Sequence, residues 1–371
     1  MTASLRPISG SVREVQALLE PWVRFGGDPI LVRTSGSTGE PKDVVLSRAA
    51  VLASARATQA SLGGPGRWLL DLPVSGVAGL QVLVRSALAG TDPVVVSEHA
   101  DLEAAVAALV GSRCYASLVP TQLHQLAAEG RLGLLSGLDA LLVGGASADT
   151  ELLDRARAAG ITVVRTYGMT ETCGGCVYDG LPLDGVKMQV DDDGQVLLAG
   201  PMLFDGYVDE PPRQGEWFAT ADRGEIDDRG RLHVLGRVDD VVISGGVNVP
   251  LPAVERALRL VDGVGDVAVV GVDDREWGSR VVAAVVPADA VCLDGLSLNE
   301  LRDAVSEGGL PREWAPRQVL LVDELPLLAG GRIDRAHLRQ IAVSSAPPHS
   351  RTPDSPTRPG QADATASATG V

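Results

Sequence analysis

Several protein classes are excluded by what this chain lacks. Four cysteines in 371 residues are too few for a disulfide scaffold. Cys114 and Cys292 stand alone among apolar neighbours, where a thiol acts as a small buried hydrophobe. Cys173 and Cys176 form a C-x-x-C, but no second such pair and no H-x-x-x-H completes four ligands, so a metal or redox role competes with simple packing. No apolar run reaches about 18 residues, and the start, Met-Thr-Ala-Ser-Leu-Arg-Pro, has no apolar signal-peptide core. A soluble, cytoplasmic protein without stable membrane insertion is the expectation. Also absent are the G-x-S-x-G nucleophile elbow and the H-E-x-x-H metal helix.

Cations are outnumbered. With 32 Lys and Arg against 48 Asp and Glu, the net charge is −16, which argues against a nucleic-acid or anionic-membrane surface while leaving room for local phosphate sites. A chain of this length buries a sizeable core and most readily forms two domains, and it leaves monomer and homodimer both open.

The pattern along the chain is α/β. Ser47–Leu62 reads as a helix, Pro93–Ser97 as a short buried strand, and Asp101–Val110 as a helix. Strand and helix then alternate: Ala116–Val119, Thr121–Ala128, Ala140–Val143, Asp149–Ala159 with Asp149 as N-cap, and Ile161–Arg165. Such an order implies a largely parallel sheet with ligand crevices beyond the carboxyl ends of its strands, where Gly144-Gly145-Ala146 and Tyr167-Gly168 fall. From Gly185 short strands with Asp and Gly turns suggest a small β subdomain. After Arg237 a compact α+β unit follows: a helix over Pro252–Leu260, strands at Val267–Val272 and Arg280–Val286, a helix over Ser297–Glu307 and a strand at Gln318–Val322. Residues 344–371, rich in Pro, Ser and Thr, are expected to be disordered. The expected units are thus 1–237, 238–343 and the 344–371 tail.

Thr34-Ser35-Gly36-Ser37-Thr38-Gly39, with Lys42 just beyond, carries the clearest chemistry. Two glycines permit tight or positive-φ backbone that aims N–H groups at an anion; the hydroxyls add donors and Lys42 adds charge. The spacing is not that of the P-loop. In isolation the segment also fits an ordinary polar turn.

Three further blocks follow in order: Tyr-Gly-Met-Thr-Glu-Thr at 167–172, Thr-Ala-Asp at 220–222 and Gly-Arg-Val-Asp-Asp-Val-Val-Ile-Ser-Gly-Gly at 236–246. Together the four resemble the adenylate-forming superfamily of acyl-CoA synthetases, luciferases and peptide-synthetase adenylation domains, over roughly residues 30–340. Within it, the runs at 72–86 and 172–180 look most like the o-succinylbenzoate-CoA ligases of menaquinone synthesis.

The resemblance implies a large N-terminal domain with a mainly parallel sheet plus the small β subdomain, and a small mobile C-terminal domain. It implies ATP, Mg²⁺ and coenzyme A, with a small carboxylic acid as partner. Residue by residue it assigns Thr34, Ser35, Gly36, Ser37, Thr38, Gly39 and Lys42 to the triphosphate, Thr170 to the α-phosphate and Glu171 to the metal. Gly144, Gly145, Ala146, Tyr167 and Gly168 would line the adenine and acyl-adenylate; Asp222 and Arg237 would reach the ribose, a carboxylate having two oxygens for a vicinal diol. Asp239 matches the hinge. Gly245 to Asn248, with Glu255, resembles the stretch presented to the site after rotation, and Trp277-Gly278 fits a structural role or a CoA contact.

Two departures stand out. The run Pro73–Gly79 lacks the His or aromatic residue usual at Ser75 or Gly76 for gating the acyl pocket, and Arg332 stands where the family carries its adenylation lysine. Alternatives therefore stay open: a ligase for another aryl or acyl acid, or a non-catalytic nucleotide-binding homologue.

Arginine keeps the charge but spreads it over a planar fork, and a misplacement of about 1 Å can cost on the order of 100-fold in rate. Arg332→Lys is expected to raise ATP–pyrophosphate exchange at least about tenfold, roughly 1.4 kcal/mol of barrier, while thioester formation from supplied acyl-adenylate changes only a few-fold. Equal exchange rates for the two proteins would show that arginine serves as well.

Overall fold

The structure, a computed structural model, describes residues 7–34, 42–111, 113–288, 297–328 and 333–345, the side chain of Asp239 excepted. Ser35 to Gly39, Cys292, Arg332 and the tail beyond 345 lie outside it.

The first part of the chain runs α1 (Val12–Phe25), β1 (Ile30–Arg33), β2 (Asp43–Leu46), α2 (Arg48–Ser61), β3 (Arg67–Leu70), α3 (Val77–Ala89) and β4 (Val94–Val95). It continues α4 (Leu102–Ala108), β5 (Cys114–Leu118), α5 (Pro120–Ala128), β6 (Ala140–Val143), α6 (Thr150–Ala158), β7 (Val163–Met169), β8 (Gly174–Tyr178) and β9 (Leu181–Pro182). Side-chain caps start four of these six helices. Ser11 and Glu14 form a capping box on α1, and Ser47, Asp101 and Asp149 accept from backbone N–H groups of α2, α4 and α6.

Strands β4-β3-β5-β6-β7-β8-β9 form one sheet, parallel from β4 through β7 and antiparallel beyond. The parallel strands are apolar without a break because helices cover both faces. Trp68, Leu70, Tyr115 and Leu142 pack into the core on one face, and Leu69, Ala116, Leu141 and Val143 into the core on the other. Truncating such a leucine to alanine typically costs about 2–5 kcal/mol. The expected strand at 93–97 is shorter than its apolar run, since only Val94 and Val95 pair with β3 before the chain turns at Val96–Glu98.

Next come β10 (Lys187–Val190), β11 (Gln195–Ala199), β12 (Gly206–Tyr207), β13 (Trp217–Ile226) and β14 (Leu232–Arg237). Strands β10-β11-β13-β14 make the antiparallel β subdomain, while β12 leaves it to pair with β2. The remainder is β15 (Val241–Ser244), β16 (Val247–Pro250), α7 (Leu251–Arg259), β17 (Val264–Asp274), β18 (Gly278–Pro287), α8 (Leu298–Glu307), β19 (Gln318–Leu321) and α9 (Arg335–Ser344). Here too strand residues alternate between two cores: Val267 and Val269 face one, Ala268 and Val270 the other. Among the described residues, the clusters of this unit share no member with those before Arg237.

The boundary expected for the tail shifts. Residue 344 closes α9 rather than opening the tail: Ala342 is fully buried, and the amide of Gln318 donates to the Ser345 carbonyl at 3.3 Å. A chain ended at Ser345 is expected to melt with the full chain. One ended at Val343 loses this bond and the last residues of α9, roughly 1 kcal/mol, and is expected to melt about 2–4 °C lower; thermal denaturation of the two truncations decides.

Candidate functional site

Gly144 stands just past β6, while Tyr167 and Gly168, expected beyond a strand end, lie inside β7, which runs on to Met169 and pairs there with β8. Gly144 follows β6 so closely against Thr166 that a β-carbon there would sit 2.1 Å from the Thr166 hydroxyl oxygen. Gly145 takes φ +84°, open to glycine at little cost. Gly168 is equally tight, for its β-carbon would lie 2.1 Å from the Gly174 carbonyl oxygen, a backbone atom that cannot swing aside.

After Met169 the chain makes a single turn, Thr170–Thr172, and enters β8 through Cys173 at φ 51°. Thr172 closes the turn internally: its hydroxyl accepts from the Met169 N–H at 2.9 Å and donates to the Gly174 carbonyl at 2.7 Å. From behind, the Cys173 carbonyl accepts from the Ser54 hydroxyl at 2.9 Å and the Gln81 amide at 2.7 Å, both buried donors on α2 and α3. The turn thereby presents Thr170 and Glu171 forward. Cys173 and Cys176 are fully buried, and burial pushes both thiols up, Cys176 to about 12. Buried as protonated thiols, they fit packing rather than metal binding or redox chemistry.

Glu171 is held at two points. Its carbonyl accepts from the Phe204 N–H at 2.9 Å, and its Oε1 accepts from the Tyr207 phenol at 2.9 Å. Among the described residues nothing bonds Oε2. No group of three or more His, Cys, Asp or Glu converges among those residues, so a metal ion here takes one carboxylate and draws its other ligands from phosphate and water. That donor set is the one magnesium favours.

Lys42 stands at the start of β2. Thr34 and Lys42 close the base of the phosphate loop, with the Thr34 N–H donating to the Lys42 carbonyl at 2.8 Å. The Lys42 ammonium lies 4.4 Å from the centre of the Tyr207 ring and pairs with Glu210 at 2.9 Å. Lys42 and Lys187 are the chain's only lysines.

Asp222 is the residue expected to act together with Arg237. It lies within β13, only 9 % exposed, directly across from Arg237 on β14, with 3.7 Å between their charged atoms. The half-buried Tyr167 phenol donates to Asp222 Oδ2 at 2.8 Å, and burial and the Asp222 charge together raise the phenol's pKa so that it stays a donor. Lys42, Tyr207 and Glu171 thus form one line of contacts and Tyr167, Asp222 and Arg237 a second, with Tyr167 and Glu171 four residues apart in the chain.

Other expected positions fall outside that line. Asp239 lies in the turn Val238–Asp240. Gly245 and Gly246, at φ +62° and +81°, turn the β15–β16 hairpin. Glu255 corrects its expectation: 8 % exposed, it accepts from the Val269 N–H at 3.1 Å and pairs with Arg335 at 2.8 Å, tying α7 and α9 to β17. The Trp277 ring carries the Arg317 guanidinium at 3.4 Å and packs on Gly245. Sequence reading passed over Tyr207 and Glu210, whose one signal was an aromatic in a chain with 3 % aromatics.

A family model of AMP-binding enzymes matches residues 30–208, and a model of the AMP-binding enzyme C-terminal domain matches residues 253–332. The chain belongs to the AMP-binding, adenylate-forming enzymes. It is 44 % identical over 321 residues to a probable 2-succinylbenzoate–CoA ligase of Mycobacterium tuberculosis, covering 83 % of each chain. To the 2-succinylbenzoate–CoA ligase of Listeria monocytogenes serotype 4b it is 32 % identical, over 88 % of this chain and 73 % of that one. The o-succinylbenzoate CoA synthetase of Bacillus subtilis, solved with its acyl-adenylate intermediate, superposes with a TM-score of 0.70 at 28 % identity, over 84 % of this chain and 68 % of that one. The same protein has been solved with ATP and a magnesium ion, with a TM-score of 0.68 at 28 % identity, over 84 % of this chain and 69 % of that one.

Asp222→Ala is expected to weaken ATP by about 1–3 kcal/mol through lost charge-assisted hydrogen bonds. Calorimetry with ATP and with its 2′,3′-dideoxy analogue checks this: the intact protein should prefer ATP, and the variant should not.

Proposed function

We propose that this chain is an ATP-dependent acid–CoA ligase that converts o-succinylbenzoate to its CoA thioester, a step of menaquinone biosynthesis. The supporting observation is the pair of contact sets, Lys42–Tyr207–Glu171 and Tyr167–Asp222–Arg237, which agree with the roles of phosphate cation, metal carboxylate and ribose acceptor. The relatives' named substrate supplies the acid.

In the first half-reaction a carboxylate oxygen of the acid attacks the α-phosphorus of ATP. The bond from that phosphorus to the bridging oxygen breaks, and its electron pair leaves with pyrophosphate. In the second, the CoA sulfur attacks the acyl carbon, the bond to AMP breaks, AMP takes the pair, and the thiol proton passes to solvent. No enzyme nucleophile is needed, so the protein's part is placement and electrostatics.

Lys42 and the hydroxyls and glycines of 34–39 hold the phosphates, and Thr170 meets the α-phosphate. Asp222, kept in one orientation by Tyr167 and Arg237, accepts from the ribose. Gly144, Gly145, Ala146 and Gly168 leave room for the base. Glu171 would hold magnesium, which offsets the charge gathering at phosphorus. Arg332 would approach the reacting carboxylate. The unit after Arg237 would then turn about Asp239 between the half-reactions, a division supported by its separate apolar cores. The net charge of −16 and the use of ATP and CoA support a cytoplasmic protein without nucleic-acid partners; no described helix is long and apolar enough to cross a membrane.

Glu171→Gln is expected to abolish ATP–pyrophosphate exchange while leaving the melting temperature within about 2 °C, because the isostere still accepts from Tyr207 but binds magnesium far less well. Across a panel of acids, o-succinylbenzoate is expected to support exchange at least about tenfold faster than simpler aryl and acyl acids, since a polar site discriminates against analogues lacking its partner groups. A better rate with another acid would move the reading to a ligase for that acid. Absence of exchange with every acid would leave a non-catalytic nucleotide-binding homologue.

A further inference from the structure

Residues 204–210 touch Glu171 or Lys42 at three positions, Phe204, Tyr207 and Glu210. The Phe204 N–H holds the Glu171 carbonyl. Tyr207 pairs with Val44 in the β12–β2 ladder, which sets its ring beside Lys42, two residues earlier on the same strand. Gly206 makes the approach feasible, at φ +149° with the backbone N of Arg213 only 3.2 Å from where a β-carbon would stand. Phe204 braces the Tyr207 ring edge-on, with centroids 5.0 Å apart. The ring is thereby fixed, its face on the Lys42 ammonium and its hydroxyl on Glu171 Oε1.

We propose that Tyr207 is a positioning residue, one rigid side chain that sets the metal-binding carboxylate and the phosphate-binding ammonium relative to each other. This rests on the roles given above to Glu171 and Lys42. A glutamate on an exposed turn samples many rotamers, and fixing it ahead of metal binding removes an entropic cost that binding otherwise carries. Oε1 accepts from the phenol and Oε2 has no hydrogen bond among the described residues, so a carboxylate already held in one rotamer has an oxygen left to offer a metal. On the other side, a ring face attracts an ammonium without neutralising it, so Lys42 keeps its full charge for phosphate once it leaves the exposed Glu210.

The two functions separate by substitution. Tyr207→Phe removes one oxygen and keeps the ring, the ladder and the Phe204 contact; its melting temperature is expected to stay within about 2 °C. Its magnesium half-saturation is expected to rise about tenfold, both in ATP–pyrophosphate exchange and in calorimetric ATP binding across a magnesium series. At saturating magnesium, its KM for ATP and its kcat are expected to stay within about twofold. Tyr207→Leu is expected to show the same magnesium shift and, with the ring gone, a KM for ATP several-fold higher at saturating magnesium. An unchanged calorimetric magnesium half-saturation in Tyr207→Phe, with Glu171→Gln shifting it in the same calorimetry, would overturn this proposal alone. An unchanged value in Glu171→Gln would overturn the metal role of Glu171 and this proposal with it.

Discussion

The carbonyl of Cys173 is where the core of the protein and its site become one structure. A non-glycine residue at φ 51° costs about 1–2 kcal/mol relative to ordinary backbone, and a buried carbonyl without partners would add to that. Ser54 and Gln81 supply two donors from two different helices, each worth about 0.5–1.5 kcal/mol, so the conformation is offset by the packing of α2 and α3 behind the sheet. Because the strained residue directly follows Thr170–Thr172, the apolar packing of those helices fixes where Thr170 and Glu171 point. Gly168 adds the complementary constraint on the front, where the Gly174 carbonyl leaves no space for a methyl group.

Around this turn the electrostatics are local. A chain of net charge −16 binds polyanions only where cations are placed deliberately, and here they are few and of two kinds. Arg237 lies opposite Asp222 across a strand pair, where a planar fork suits a carboxylate. Lys42 lies on an aromatic face, where a compact, movable charge suits a phosphate that has yet to arrive. Tyr167 and Tyr207 play matching parts: each phenol donates to one oxygen of a site carboxylate, at 2.8 Å and 2.9 Å, and each is kept protonated by burial and by that carboxylate's charge. The carboxylates are thereby oriented without being neutralised.

Helix starts were legible because they are local chemistry. Ser47, Asp149 and Ser297 precede helices at the positions expected, each accepting a backbone hydrogen bond from the first turn. The parallel strands were legible because burial on both faces leaves unbroken apolar runs. Where the reading went astray, a contact distant in sequence decided. The strand at 94–95 ends where β3 offers no further partner. Glu255 looked available and is instead bound by Arg335, 80 residues away.

The sequence by itself determined the class of chemistry, because four blocks in one order resemble the adenylate-forming enzymes, where any one block alone also fits an ordinary turn. It also determined the alternation of helix and strand, since caps and apolar periodicity act over a few residues. Tertiary structure alone decided which oxygen of Glu171 is left for a metal, how Lys42 is poised, and that Tyr207 touches both. Those facts depend on β12 crossing to pair with β2, a strand pairing that joins residues more than 150 positions apart. No local pattern encodes such a pairing, because its free energy comes from the folded sheet as a whole.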